Sequence, residues 1–321
     1  SQLRLAETEE QEIQLMLRLA ALQESRLDIV EAAIETYRQV LDRVPTDPAA
    51  MQALERLGTQ PAHEVEIAEI LGPLYRNAGD HVKLLGVYEV QVRTSEDPMR
   101  QVELLHEMAQ LHEDAAGDLS AAFDTLARAL AVDPAADYTQ EGLYRLARAT
   151  DRHADLARVY EGLAAQQDDV ELGIRLYTIS AQNYETELGM VDNSVAHYRK
   201  ILELDAQHLD AAEALERIFH GTDRFDELSA ILQQKSDLLH DMEEQKLALL
   251  GAAQIEEEVL ERNEQAVVVF LNRWQDGAFK VAGYHQGLSR FSADRAGNPI
   301  LRAGVCDGMP LAALVELSQD R

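Results

Sequence analysis

Residues 170–241 read VELGIRLYTISAQNYETELGMVDNSVAHYRKILELDAQHLDAAEALERIFHGTDRFDELSAILQQKSDLLHD, and their periodicity decides the fold. Val170, Ile174, Tyr177, Ala181, Tyr184 and Leu188 recur at helical spacing, which predicts the buried stripe of an amphipathic helix. Gly189 follows, where a helix end calls for positive φ. A second stripe, Val195, Tyr198, Ile201 and Leu202, breaks at Asp205-Ala206. A third helix is expected to carry Ala211, Ala214, Leu215, Ile218 and Phe219 and to end at Gly221. A fourth carries Phe225, Leu228, Ile231 and Leu232. The stretch is therefore four helices in two hairpins.

The pattern recurs along the chain at one constant interval. Ala109, Ala181 and Ala253 are equally spaced, and Glu113, Glu185 and Glu257 keep the same spacing, as do Leu126, Tyr198 and Phe270. The second hairpin shares this period in Leu84, Leu156 and Leu228, in Leu143 and Leu215, and in Arg145 and Arg217. So many positions on one period define a tandem repeat, and half of the period is the size of one helix-turn-helix unit. Toward the N-terminus, Ala20 precedes Ala109, and Tyr37 precedes Leu126, by a longer but again equal interval. The surplus falls near Glu55–Leu71 and predicts an irregular extra helix within residues 47–78, broken at Pro61.

The expected architecture is an all-α solenoid of stacked antiparallel helix hairpins. Residues 1–291 would hold about seven to eight hairpins, and residues 292–321 a non-repeat tail that is either a C-terminal cap or disordered. Such an array has no central core, so length does not bound its domain count. Trp274, the sole tryptophan, takes the slot of Leu130 and Leu202 and reads as a core residue at a hairpin end.

The formal charge of −29 argues against nucleic acid or an anionic membrane as partner, and suits a basic protein partner or a soluble surface. Arginine outnumbers lysine, and alanine is abundant, a hint of a GC-rich bacterial genome. One cysteine, Cys306, allows no internal disulfide. No apolar run is long enough to span a bilayer, and no leader is visible, so the expectation is a cytoplasmic protein, or a periplasmic one if a signal peptide was removed. Ser1 without a methionine leaves open a segment of a longer array.

The hairpin pattern resembles the tetratricopeptide repeat family. Ala181, Gly189, Ser194, Tyr198, Ile201 and Ala206 hold its small and large positions in one repeat, and Ala109, Gly117, Leu126, Ala129 and Pro134 hold most of them in another. Ala212, Leu215, Phe219, Phe225, Leu228 and Leu232 do so in an alternate repeat. The first-helix tryptophan of the family is absent, and the odd repeats are one residue longer in the first turn, which marks a divergent member. The resemblance covers residues 12–291 and implies a right-handed superhelix whose first helices line a concave groove. It does not fix function.

Catalytic signals are missing. His106 and His112 are six residues apart, about 240° around a helix, and cannot form a zinc-protease pair. Gly283, Gly287, Gly304 and Gly308 lack the context of a phosphate loop, and Asp307 beside Cys306 disfavours a thiolate. No enzyme, no cofactor and no metal is expected.

A phased polar face is present instead. Gln110, Gln182 and Gln254 share one position, with Glu113, Glu185 and Glu257 three residues on. Alternate repeats carry Glu141 and Glu213, with Arg145 and Arg217 four residues on. One reading is a groove for a protein or peptide partner of basic character, with no nucleic acid and no membrane insertion. In it, glutamine and arginine hold backbone or carboxylates, and glutamate holds basic side chains. The other reading is a ladder of Glu and Arg that fixes neighbouring helices. Equivalent glutamates would lie roughly 20 Å apart, beyond a Debye length of about 8 Å, so the ladder needs no ligand to explain it.

Overall fold

The computed structural model describes residues 8–262, 265, 266, 268, 269, 291–293 and 299–301. Trp274, Gly283, Gly287, Gly304, Cys306, Asp307 and Gly308 lie outside the described residues. The helices are α1 (Glu9–Ser25), α2 (Val30–Arg43), α3 (Pro48–Leu57), α4 (Glu64–Ala78), α5 (His81–Thr94), α6 (Pro98–Leu111), α7 (Leu119–Val132), α8 (Asp137–Thr150), α9 (His153–Ala164), α10 (Val170–Thr186), α11 (Val191–Leu204), α12 (Leu209–Gly221), α13 (Phe225–Leu238) and α14 (Met242–Gln254). The fold is an α-solenoid in which sequence neighbours pack antiparallel. The chain divides into two compact units, residues 1–159 and 160–321, the division falling within α9.

Helix starts are set by short polar side chains. Asp47, Asp80, Asp97, Asp118, Asp169 and Asp241 each accept from backbone N–H groups of the first turn, and Pro48 and Pro98 stand at first-turn positions where no donor is needed. In the first unit the hairpins are α1–α2, α4–α5 and α6–α7, with α3 an unpaired helix between α2 and α4 and Pro61 in the α3–α4 turn. Its core runs through Ile34, Leu54, Leu104, Phe123, Leu130 and Leu143. In the second unit α10–α11 and α12–α13 are hairpins and α14 packs on α13, around Leu176, Ile201, Leu215 and Phe219. Each hairpin buries a face it could not bury alone, which makes the stack cooperative between neighbours.

The hairpin turns come in two widths. In α4–α5, α8–α9 and α12–α13 the amides of Asp80, Arg152 and Arg224 donate to the carbonyls of Tyr75, Ala147 and Phe219, five residues back, after a left-handed residue at Gly79, Asp151 or Asp223. This is the Schellman closure. In α1–α2, α6–α7 and α10–α11 the amides of Ile29, Asp118 and Met190 reach six residues back, to Gln23, His112 and Tyr184, after Asp28, Gly117 and Gly189. Arg262 does the same to Glu256, after Glu261. The extra residue widens the last turn, and two such helix ends are π-helical, at His112–Ala116 and Ile255–Val259. That widening is the one-residue excess of the odd repeats.

Several stripes differ from their sequence reading. Val170 is 49% exposed, because it is the first residue of α10 and projects past the stack; Gly173, Leu176 and Ser180 take the inner positions instead. Gly221 is the last residue of α12, and the left-handed residue is Asp223. Leu247, placed in the α14 stripe by its leucine spacing, is 68% exposed, while Ala248, Leu249, Ala252 and Ala253 are buried. Helix α14 is apolar on several faces, so leucine spacing alone misplaces its phase.

Beyond the helices, Phe291–Ala293 (β1) and Pro299–Leu301 (β2) form an antiparallel pair with Phe291 opposite Leu301. No strand is expected from the sequence there, since the segment is short and rich in glycine and proline.

Candidate functional site

The phased face is built as a ladder. In the first unit Arg145 of α8 donates from both terminal nitrogens to the two carboxylate oxygens of Glu113, each at 2.8 Å. Arg56 of α3 makes the same two-pronged pair with Glu24 at the end of α1, its second contact at 3.0 Å. In the second unit Arg217 of α12 grips Glu185 of α10, again with a second contact at 3.0 Å. All three partners are 32 residues apart. The side chains of Glu24, Glu113 and Glu185 are only 14%, 21% and 19% exposed, while those of Arg56, Arg145 and Arg217 are 61%, 58% and 60% exposed. Each arginine thus covers a carboxylate set into the seam between first helices. The hydrogen bond to its glutamate pushes each arginine pKa up, so these groups stay charged.

The remaining candidates fall on either side of these rungs. Gln110 is exposed and donates to Asp114 at 3.3 Å. Gln182 is exposed, its backbone carbonyl accepting from Thr186. Glu141 is exposed on α8. Glu213 pairs with Lys235 of α13 at 3.2 Å. Gln254 and Glu257 lie at the end of α14 and in the π turn, Gln254 half-buried. The structure therefore brings Glu113 to Arg145 and Glu185 to Arg217, and sets Gln110 and Gln182 outward.

A second set of arginines is absent from the sequence reading. Arg152 lies 4.2 Å over the Phe123 ring and bonds to Asp124, Asp155 and Ser120. Arg224 lies 5.0 Å over Phe219 and bonds to Asp192 and Glu227. The two stand one full repeat period apart, so the period was a signal for them. His106 and His112 form no metal pair: His106 shares a 2.8 Å bond with the Thr139 hydroxyl, and burial lowers its pKa. Among the described residues no cluster of three metal-ligating side chains occurs, and no helix is long and apolar enough to cross a membrane.

The second unit also has a cleft of about 770 Å³ between α12, α13 and α14. Leu228 and Leu232 of α13, Ala248 of α14 and Ile255 just beyond it give it apolar walls. Lys235 projects into it and is held by Glu216 at 2.8 Å and Glu213 at 3.2 Å. Burial acts to lower the Lys235 pKa, but the bonds to Glu216 and Glu213 outweigh it and keep the ammonium protonated.

No family model matches the chain, and no curated protein matches it. Solved structures similar to it include MamA, at 15% identity over 60% of this chain and 97% of that one, with a TM-score of 0.28. The human IFIT1 dimer with m7Gppp-AAAA is 12% identical over 84% of this chain and 63% of that one, with a TM-score of 0.29. The TPR2AB domain of yeast Sti1 in complex with pHSP90 is 11% identical over 84% of this chain and 99% of that one, with a TM-score of 0.24. The chain's own repeats define its architecture: paired helices, and one period that carries turns and rungs alike. By these features the fold is an α-solenoid of tandem helix hairpins, the architecture that the resemblance to the tetratricopeptide repeat family implies.

Proposed function

We propose that the chain is a non-enzymatic scaffold that binds a protein or peptide partner along the face of its first helices. The observation that carries this reading is a division of labour found in each unit by itself. In the first unit Arg145 is committed to Glu113 and Gln110 is exposed; in the second Arg217 is committed to Glu185 and Gln182 is exposed at the equivalent repeat position, so each unit stiffens its own first-helix face and leaves an amide outward. Amide side chains both donate and accept, so they suit the backbone of an extended or helical segment. A stiff, pre-set face loses little entropy on binding.

The rungs favour a second reading for part of the set. Glu113, Glu185, Arg145 and Arg217 would then be architecture, as in a spacer or a subunit of a longer array. Affinity capture separates the two when the residues are split into two variants. Gln110→Ala with Gln182→Ala leaves every rung intact; Arg145→Ala with Arg217→Ala removes two. Loss of a wild-type partner in the glutamine variant, with unchanged circular dichroism, supports the groove. Retention of all partners by both folded variants overturns it.

A further inference from the structure

The α12–α13–α14 cleft lies where the matching junction of the first unit is bridged by side chains. There, Arg76 of α4 donates to the Tyr88 hydroxyl at 2.6 Å and pairs with Glu107 of α6 at 3.4 Å. Two repeat periods further on, their places are taken by His220, Leu232 and Gly251, and all three line the cleft. Leu104 becomes Ala248 over the same interval. A charged bridge and the volume of a leucine are thus lost at one junction, which is why a cavity opens there. Glu103 becomes Leu247, so an ordinarily polar position carries an exposed leucine on the rim.

The charges around the opening are acidic. Glu213 and Glu216 are engaged by Lys235. Glu244 and Glu258 also line the cleft, and no cation among the described residues pairs with either. We propose that this cleft docks a segment of a partner protein that inserts a large apolar side chain beside Leu228, Leu232 and Ile255 and sets lysine or arginine against Glu244 and Glu258. The occupant is a chain and not a small molecule, because the apolar lining opens outward to solvent at the exposed rim residues Leu247 and Val259. Fatty acids and anionic headgroups would meet four carboxylates and one ammonium already paired with two of them. This inference rests on the scaffold reading and gives its partner a chemistry.

Fluorescence anisotropy of the full chain with three labelled peptides of about 14 residues tests it. One is an amphipathic helix of leucine and arginine, the second has glutamate for arginine, and the third has serine for leucine. Wild type should bind the first at least about tenfold more tightly than the others. Leu247→Lys changes an exposed side chain, so the fold is kept, and it should weaken the first peptide about fivefold or more. The pair His220→Arg and Gly251→Glu rebuilds the bridge of the first unit and should abolish binding. A first peptide that binds no better than the second or third, or binding unchanged in both cleft variants, overturns the inference. If binding survives the cleft variants but falls with Gln110→Ala and Gln182→Ala, the cleft is wrong and the scaffold reading stands. If wild type binds none of the three peptides, the cleft inference falls, and the capture experiment still decides the scaffold reading.

Discussion

Glu113 and Arg145 meet face to face, two N–H donors on two carboxylate oxygens at 2.8 Å, although 32 residues and a complete second helix separate them. The carboxylate is mostly shielded and the guanidinium mostly solvated, so screening trims the energy of the pair. Arg145→Ala should destabilise by only about 0.5–1 kcal/mol. A double-mutant cycle with Glu113→Gln, read by urea unfolding, should give a coupling of similar size that shrinks in high salt. A coupling near zero would remove the ladder from the forces that fix the stack.

The hairpin turns make a backbone prediction. Glu261 sits at φ 54° and Asp223 at φ 56°, the left-handed region, where a side chain is strained and glycine is not. Replacing either by glycine should raise stability by up to about 1 kcal/mol, more at Glu261 because aspartate tolerates this region better. Gly189→Ala, at φ 62°, should lower it by about 1 kcal/mol. Thermal unfolding of the three variants checks the sign of each.

Tyr198 is 5% exposed in the α11 core. Tyr198→Ala should cost about 3–5 kcal/mol through the cavity it leaves. A loss below about 1 kcal/mol in urea titrations would show that the surrounding helices collapse into the space.

His197 is buried between the rings of Tyr177 and Tyr184, with Nε2 3.6 Å from Glu161. Burial lowers its pKa more than Glu161 raises it. The unfolded chain therefore binds the proton more readily, and the contribution of His197 is complete above its ordinary value of 6.5 and is lost as pH falls through the lowered one. Stability should start to fall just below pH 6.5. Paired carboxylates such as Glu55 and Glu227, held below their ordinary 4.5, act only in a more acidic range. His197→Gln should flatten the upper part of the profile while His106 still titrates, and a slope left unchanged from neutral to mildly acidic pH, read by urea unfolding, would count against it.

Much of this molecule is written in its periodicity. The long repeat period brings out the hairpins, and Glu113, Glu185, Arg145 and Arg217 as a set, because pairing between first helices repeats whenever the hairpins repeat. Leucine spacing failed in α14, where apolar residues lie on more than one face. The repeat period would have placed Leu247 correctly, since its counterparts are Arg175 and Glu103. The cleft was illegible for a different reason: it arises from what is missing at His220, Leu232 and Gly251, and a periodic search looks for what recurs. Whether Arg145 would face a ligand or Glu113 depended on side-chain reach across a seam, which spacing does not fix.

The two turn widths have a consequence for how such a chain can change length. First helices begin at Pro98, Asp137, Val170, Leu209 and Met242, so a longer interval alternates with a shorter one. In the pairs Glu113–Arg145 and Glu185–Arg217 the wide-turn helix offers the glutamate, and the narrow-turn helix after it the arginine. Duplication or loss by recombination preserves the partnership only in steps of two hairpins; a step of one sets two helices of the same kind side by side and leaves a shielded carboxylate with no cation. The heritable unit of this array is therefore the pair of hairpins, and its members are complementary halves, not copies.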